Sequence, residues 1–433
     1  MPLREAARQG KASFIDGDWI EAPYITNEGI RLIQTGNIGT GAFIDKADTA
    51  KYISASSFRM LRCKWVRANH LLICRLADPI GRACEVPAAL DKSVTSVDVT
   101  IVTPDTDKFD RRYLLHALNS DASLRAAADS AGGSTRARIS RSNLGKLPIT
   151  LPPLGEQSAI ARILDTLDTQ IEKTRALIAK LEQVKEGLLH DLLTRGVDEN
   201  GELRPSAEEA PELYKASALG LIPREWATEE IGAIATKIQD GTHFSPTLGG
   251  HDFMYVTSKN IRFGHLDLTD VDWIDQRQHA EIFKRCDVRF GDLLLTKDGA
   301  NTGNAALNTC PDPISLLSSV AFIRFSPQTD DAEFFLQQIL SRNAQQRILD
   351  AMSGNAITRL TLEKIRAFRV RRPPVTEQRR ISAAVKAKTQ IIGSLNSELK
   401  QALKLKSGLM DDLLTGRVRV TPLLDPQQPP ATV

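Results

Sequence analysis

The sequence predicts an α+β chain built twice. Two similar β-rich domains are each followed by a long helix, the two helices pair as an antiparallel coiled coil, and the halves are related by an internal pseudo-two-fold. Three observations predict this. First, residues 152–196 recur at 373–417 without a gap. Pro152-Pro153, Glu156-Gln157, Ile160, Ile171, Lys185, Gly187-Leu188 and Asp191 to Thr194 all reappear at one offset, and self-similarity of this kind decides architecture before other signals. Second, both copies carry apolar residues at steps alternating between four and three. Third, the segments preceding the two copies are short, β-like and turn-rich, and loosely alike.

The elements follow in order. From Phe14 to about Ala126 the chain is β-like. Gly29–Gly41 reads as a strand entering a Gly/Asn turn, Trp65–Leu76 as a second apolar strand, and Val94–Val102 as an alternating, half-buried strand. Asp110–Ser120 has helical spacing at Tyr113, Leu114 and Leu118, and Asn143–Leu151 alternates again. The helix that follows places Ile160, Leu164, Leu167, Ile171, Thr174, Ile178, Leu181, Lys185, Leu188 and Leu192 on a heptad seam. The copy places Ile381, Val385, Lys388, Ile392, Leu395, Leu399, Ala402, Lys406, Leu409 and Leu413 there. Gly196 and Gly416 stand where C-terminal caps belong. Residues 197–217 are polar and acidic, as a linker would be. The second half then echoes the first. IleGlnAspGly at 238–241 answers PheIleAspGly at 14–17, Met254–Gly264 answers Arg31–Gly41, and Asp292–Lys297 answers His70–Arg75. From Gly133 and Gly354 onward the register is locked. The expected divisions are 1–150 for the first head, 151–196 for its helix, 197–217 for the linker, 218–371 for the second head, 372–417 for its helix and 418–433 for a flexible tail.

Each helix has an apolar stripe that must be buried, and the other copy is the natural partner. A helix of about 38 residues at about 1.5 Å each spans about 57 Å, which makes the pair a spacer between two heads. Two related heads at fixed separation suit a ligand with two half-sites, duplex DNA above all. A net charge of +3 neither demands nor excludes a polyanion, so any basic function must be local. Candidate DNA-binding groups lie in loop-like places: Gln34, Thr35, Asn37 and Arg75 in the first head, and Thr242, His243, Ser258, Lys259, Asn260, Lys297, Asn301 and Asn304 in the second. A basic run at Arg136, Arg138, Arg141 and Lys146 is matched by one beginning at Arg359. Such Gly/Asn/Asp clusters also serve as plain turns, and such basic runs as solvated faces.

These residues resemble the specificity subunits of type I restriction–modification systems (the HsdS family). The resemblance rests on Pro152-Pro153 with Glu156-Gln157, their copies Pro373-Pro374 and Glu377-Gln378, Gly220-Leu221-Ile222-Pro223 with Trp226, and the endings at 192–194 and 413–415, and it spans about 14–417. It implies that each head is a target recognition domain reading one half of a split DNA sequence. It also implies that the helices set the spacer and dock two methyltransferase subunits, through which restriction subunits join. The first unit has no counterpart of Ile222-Pro223-x-x-Trp226.

No catalytic signature emerges. There is no G-x-x-x-x-G-K-[ST] loop, Gly36, Gly39 and Gly41 are misspaced for a dinucleotide fingerprint, and His243, His251, His265 and His279 lack metal-ligand spacing. The expectation is a non-catalytic chain with no cofactor or metal of its own, whose partners use S-adenosylmethionine, ATP and Mg2+. Five cysteines without a C-x-x-C pair, no apolar leader and no membrane span lead to a cytoplasmic expectation. A coiled-coil adaptor whose heads bind proteins is the alternative from another class. A self-contained restriction enzyme is disfavoured by the missing catalytic motifs.

Overall fold

The alternating apolar runs of the first half fold into two small sheets rather than one large one. The structure is a computed structural model that describes residues 1–10, 12–76, 78–133, 136–352 and 359–421; Gly354 and the expected tail beyond 421 lie outside the described residues. The chain divides into two units, Met1–Ala176 with Ser397–Val433, and Leu177–Asn396. Each unit thus takes one head, the first half of the long helix that follows it, and the second half of the other long helix.

In the first unit, β1 (Phe14–Asp16), β5 (Leu71–Cys74), β6 (Ala83–Glu85) and β8 (Val99–Val102) form an antiparallel sheet in the order β1-β8-β5-β6. β2 (Ile25–Thr26), β3 (Ile30–Ile33), β4 (Lys51–Ile53) and β7 (Val94–Thr95) form a second, in the order β2-β4-β3-β7, with β3 and β7 parallel. Every residue of β5 and β8 is buried because both faces are covered. Leu71, Ile73 and Val102 pack with Tyr113, Leu114, Ile160 and Leu164 on one face, while Leu72, Cys74, Val99 and Ile101 pack with Ile33, Ile38 and Val66 on the other. α1 (Ala55–Met60) follows β4, and α2 (Arg111–Leu118), capped by Asp110, α3 (Asp121–Asp129) and α4 (Arg141–Lys146) follow β8.

Two expectations are corrected here. Val94–Val102 is two strands in different sheets, not one. The chain turns at Ser96–Asp98, where Ser96 N–H donates to Ile33 O at 3.1 Å, leaving its neighbours to pair elsewhere. Asn143–Leu151 begins as the α4 helix, with Ser140 accepting from Asn143 N–H as its cap. Only Leu147–Ile149 is extended; Leu3 N–H donates to Leu147 O at 2.8 Å.

The second unit repeats this plan. β9 (Tyr214–Ser217) and β10 (Gly220–Pro223) pair as a hairpin, so the expected linker is structured in its last part. β11 (Ala227–Glu230), α6 (Ile231–Ile234) and β12 (Ala235–Asp240) follow, then β13 (Phe253–Val256), β14 (Asp272–Ile274), α7 (Gln276–Phe283), β15 (Leu293–Thr296), β16 (Ala305–Leu307), β17 (Ser315–Leu316) and β18 (Val320–Phe325). The main sheet has the order β12-β18-β15-β16, matching β1-β8-β5-β6, and β14-β13-β17 matches β4-β3-β7, parallel pair included. α8 (Ala332–Leu340), α9 (Arg342–Met352) and α10 (Leu362–Arg366) match α2, α3 and α4. β19 (Arg369–Arg372) pairs with β11, as Pro148 bridges to Pro2 in the first unit.

The long helices are α5 (Leu154–Thr194) and α11 (Val375–Leu414). Every seam position named from the heptad pattern is buried or half-buried, while Leu177, Val184, Ile391, Leu403 and Leu405, off the seam, are exposed. Within the first unit, the start of α5 (Ile160, Leu164) shares a core with the end of α11 (Leu413, Leu414). Within the second, the end of α5 (Leu192, Leu193) shares one with the start of α11 (Ile381, Val385). The paired segments are therefore antiparallel. The seam lysine Lys406 is neutralised by Asp168 at 2.5 Å. No helix among the described residues is long and apolar enough to cross a membrane, and all five cysteines are buried and free.

The Pro-Pro-x-x-Glu-Gln motif acts as a joint. Gln157 accepts from Asp110 N–H at 2.9 Å and donates to Lys108 O and Pro152 O; Gln378 accepts from Asp331 N–H at 2.8 Å and donates to Pro373 O. Each glutamine thus ties the start of a long helix to the cap of the domain helix beside it. The glutamates grip the chain leaving the other helix. Glu377 receives Arg204 (2.5 and 3.1 Å), Val197 N–H (2.9 Å) and Trp226 Nε1 (3.1 Å). Glu156 receives a forked Arg419 (2.5 and 2.9 Å), which holds its carboxyl below the usual range. Val420 beside it is buried, so the chain stays docked past the expected start of the tail at 418. Gly196 caps α5 at φ +67°, and a Cβ there would collide with Glu377 and Trp226.

Breaking this joint leaves buried charge without a partner. Glu377→Ala should destabilise the second unit by about 3–5 kcal/mol and speed hydrogen exchange at the Val197 amide, as read by denaturation and exchange mass spectrometry.

A second network lies where α2 meets α5. Asp165 accepts from Arg112 (2.6 Å) and pairs with His116 Nε2 (2.7 Å). Burial lowers the His116 pKa from its ordinary 6.5. Burial would raise Asp165, but the hydrogen bonds from Arg112 and His116 outweigh it and hold it low. Folding makes His116 harder to protonate than it is in the unfolded chain, where the ordinary value is 6.5. Its contribution is therefore complete above that pH and lost as pH falls through it. His70 is lowered in the same sense, again mainly by burial. The first unit should lose stability between pH 7 and 5, and His116→Gln should reduce that slope without abolishing it, measured by urea denaturation across pH.

Candidate nucleic-acid interface

The ends of β1, β3 and β5 and the starts of β6 and β8 meet at one edge of the first head, and their loops form one frame. Gly17 N–H donates to Val99 O (2.8 Å), Asp18 N–H to Thr95 O (2.9 Å), Ser96 N–H to Ile33 O (3.1 Å), Arg75 N–H to Asp98 O (2.8 Å) and Ile139 N–H to Arg75 O (3.0 Å). The second head repeats the frame bond for bond. Gly241 donates to Val320 O (3.1 Å), Thr242 to Leu316 O (2.8 Å), Leu317 to Val256 O (3.0 Å), Lys297 to Ser319 O (2.8 Å) and Leu360 to Lys297 O (2.8 Å). The Asp-Gly step of each head is required by this crossing. A Cβ on Gly17 would run into the carbonyls of Thr95 and Ser96, and one on Gly241 into Leu316.

The frame fixes one carboxylate under a group of cations in each head. Asp16 lies 3.3 Å from Arg75 and 3.8 Å from Arg141, with Arg138 paired to Asp98 at 2.7 Å beside it. Asp240 lies 3.4 Å from Lys297, 3.4 Å from Arg285 and 3.3 Å from His243. Arg136 and Arg359 stand exposed on the matching loops. Both edges thus carry more positive than negative side chains, the arrangement a phosphate backbone attracts.

The structure gathers the candidates but divides their tasks. Arg136, Arg138, His243, Asn301 and Arg359 are exposed, and Gln34, Thr35 and Ser258 are half-buried at the same edge. Arg75 is only 3% exposed and donates to Ile139 O and Val97 O, so it holds the frame and has no side chain to offer to a groove. Asn37 and Asn260 (2% exposed) close their turns, accepting from Gln34 N–H and Thr257 N–H. Asn304 donates to Ile261 O, Thr242 is buried in the Asp-Gly crossing, and Lys297 is buried against Asp240. Lys259 is engaged by Asp270 and Asp272. Sequence reasoning missed Asp16 and Asp240 as organisers, although their Asp-Gly repeat was visible. It also missed Arg285, and Arg82, which donates to Thr35 O and Ile38 O and locks the turn to the β5–β6 hairpin.

Chemistry of another kind finds little support in the geometry. His116, Asp165 and Asp168 bring donor atoms within 4.8 Å of one another. Arg112 and Lys406 already balance the two carboxylates, which makes this group an ion-pair network.

The family model described as "Type I restriction modification DNA specificity domain" matches residues 23–183, from the first head into α5. The Methanocaldococcus jannaschii type I restriction enzyme MjaVIII specificity subunit is 23% identical over 63% of this chain. The alignment also spans 63% of that relative's own length, less than two thirds. The Escherichia coli EcoBI specificity subunit is 26% identical over 78% of this chain and 70% of its own. Among solved structures, the S subunit of a type I restriction–modification system from M. genitalium matches at a TM-score of 0.57 and 16% identity, covering 96% of this chain and 95% of that one. A chain from a structure of type I system assembly and conformational transition matches at 0.54 and 14%, covering 96% and 97%; at these identities both speak for the fold. Over residues 23–183 the chain is thus similar to the specificity domain of type I restriction–modification systems, and the relatives it matches are specificity subunits of such systems. In this chain a β-rich head followed by a long helix occurs twice.

Frame and contact residues should separate by experiment. Arg75→Ala should cost about 2–3 kcal/mol in the first unit, because it takes the buried guanidinium from Asp16 and its donors from the Ile139 and Val97 carbonyls. Arg136→Ala should change stability by less than about 0.5 kcal/mol while weakening binding to duplex DNA.

Proposed function

We propose that this chain is the sequence-reading subunit of a type I restriction–modification complex. Each head reads one half of a split target in duplex DNA, and the α5–α11 pair sets the gap between them. The same pair docks two methyltransferase subunits, through which restriction subunits join, for methylation of host DNA and cleavage of foreign DNA. The partners would bring S-adenosylmethionine, ATP and Mg2+, while this chain supplies position and specificity.

The observation that carries this reading is the frame built twice with different side chains on it. The same backbone hydrogen bonds recur, yet Asp18, Ser96 and Asp98 of the first head become Thr242, Leu317 and Ser319 of the second. A repeated scaffold with unlike loop chemistry suits two unlike half-sites, since base readout depends on donor and acceptor pattern while the scaffold only positions.

The test assembles the chain with its methyltransferase subunits and maps methylated adenines. Two defined sequence parts around an unspecified gap are expected. Removing one heptad from both helices should change the gap and leave each half-site intact. A continuous target, or DNA binding that does not weaken steeply between about 50 and 200 mM salt, would overturn the reading in favour of a protein-binding adaptor.

A further inference from the structure

The two heads differ in charge at one matched place. In the first head, the turn Gln34–Asn37 after β3 and the start of β4 enclose a concavity of about 190 Å³, lined by Arg31, Gln34, Thr35, Lys46, Thr49 and Lys51. Gly36 leaves it open: a Cβ there would stand 3.1 Å from Lys46 Nζ. Arg31 is engaged by Asp45 at 2.9 Å. Lys46 and Lys51 are exposed, and among the described residues neither is ion-paired.

The second head builds the same turn. Asn260 accepts from Thr257 N–H at 3.0 Å as Asn37 accepts from Gln34 N–H at 2.9 Å. The strand register also matches, with Leu32 opposite Lys51 in one head and Tyr255 opposite Asp272 in the other. Lys51 is therefore replaced by Asp272, and Gly36 by Lys259. The Lys259 ammonium lies 3.0 Å from Asp272 and 3.5 Å from Asp270, so the second head fills the place with a cation of its own and neutralises it.

We propose that the first head seats one backbone phosphate of its DNA half-site in this concavity, and that the second head makes no equivalent contact. Lys46 and Lys51 supply the charge, and Gln34 and Thr35 supply neutral hydrogen-bond donors at the rim, which are the groups that bind phosphate oxygens without reading sequence. The first head then makes one backbone contact that the second head lacks at the matched place. This rests on the DNA-reading function above.

The experiment measures binding of the chain, assembled with its methyltransferase subunits, to a duplex carrying its target, across 50–200 mM salt, for the native chain, the double variant Lys46→Gln/Lys51→Gln, and Lys259→Gln. The double variant should lower the slope of log affinity against log salt by about one, the release expected for one phosphate, with base preference unchanged. Lys259→Gln should leave the slope as it was. Replacing single phosphates by neutral methylphosphonates should reveal one position, on the first half-site, whose loss weakens the native chain and not the double variant. A double variant that folds as the native chain does, by circular dichroism, and keeps the native slope would overturn the proposal, as would an equal loss in Lys259→Gln. If the native chain shows no sequence-specific binding, the DNA-reading function itself falls, which is a separate outcome.

Discussion

The structure depends on a buried glutamate at the start of each long helix. Glu377 sits beside Trp226 and takes three donors from segments distant in sequence: the Arg204 guanidinium, the Val197 amide and the Trp226 indole. A carboxylate held this way stabilises the fold only while every partner is present, because the cost of taking its charge from water is fixed and the return comes from geometry. The exit of α5, the hairpin behind it and the start of α11 are thereby one joint. Glu156 does the same for the exit of α11 through Arg419. The adjacent glutamine in each copy binds the domain helix, so two consecutive residues hold both a helix pairing and a helix–domain contact.

With helices held at both of their ends, the heads can keep their backbone and change their surface. The interior of each main sheet is covered on both faces, and its central strands β5 and β15 are buried along their whole length. The crossing at Gly17 and Gly241 brings a strand end against a carbonyl with no room for a side chain, which anchors the loop edge. Some side chains on that frame, Lys51 among them, face solvent and carry no packing duty. Lys51 can become Asp272, or Asp98 become Ser319, without disturbing a hydrogen bond of the scaffold. This freedom is the physical basis for two heads of one architecture presenting different chemistry.

The large features of the fold were legible in the sequence, and the reasons are visible in the structure. The heptad seam was readable because burial along α5 and α11 follows helical period alone. The duplication was readable because the joint residues cannot vary independently. The division of Val94–Val102 was not readable: its alternation is that of one strand, and only the hydrogen bonds of Ser96 and Asp98 to other segments split it between sheets. The short helix at Arg141–Lys146 was missed because it is barely more than one turn and owes its start to the Ser140 cap. At the candidate interface, residue types pointed to the right loops but not to the right atoms. Arg75 and Lys297 have the chemistry of DNA contacts and the burial of frame residues.

By itself, the sequence determined the architecture: two like heads, two long helices and the motif that joins them, each encoded by local periodicity or by repetition. The tertiary structure decided which polar side chains are free. Charge and hydrogen-bonding capacity are properties of a residue, but availability depends on what lies across from it, and Asp16, Asp240 and Asp272 come from other strands. The same lysine chemistry is therefore open at Lys46 and Lys51 and closed at Lys259, a difference set by cross-strand neighbours that no local pattern records.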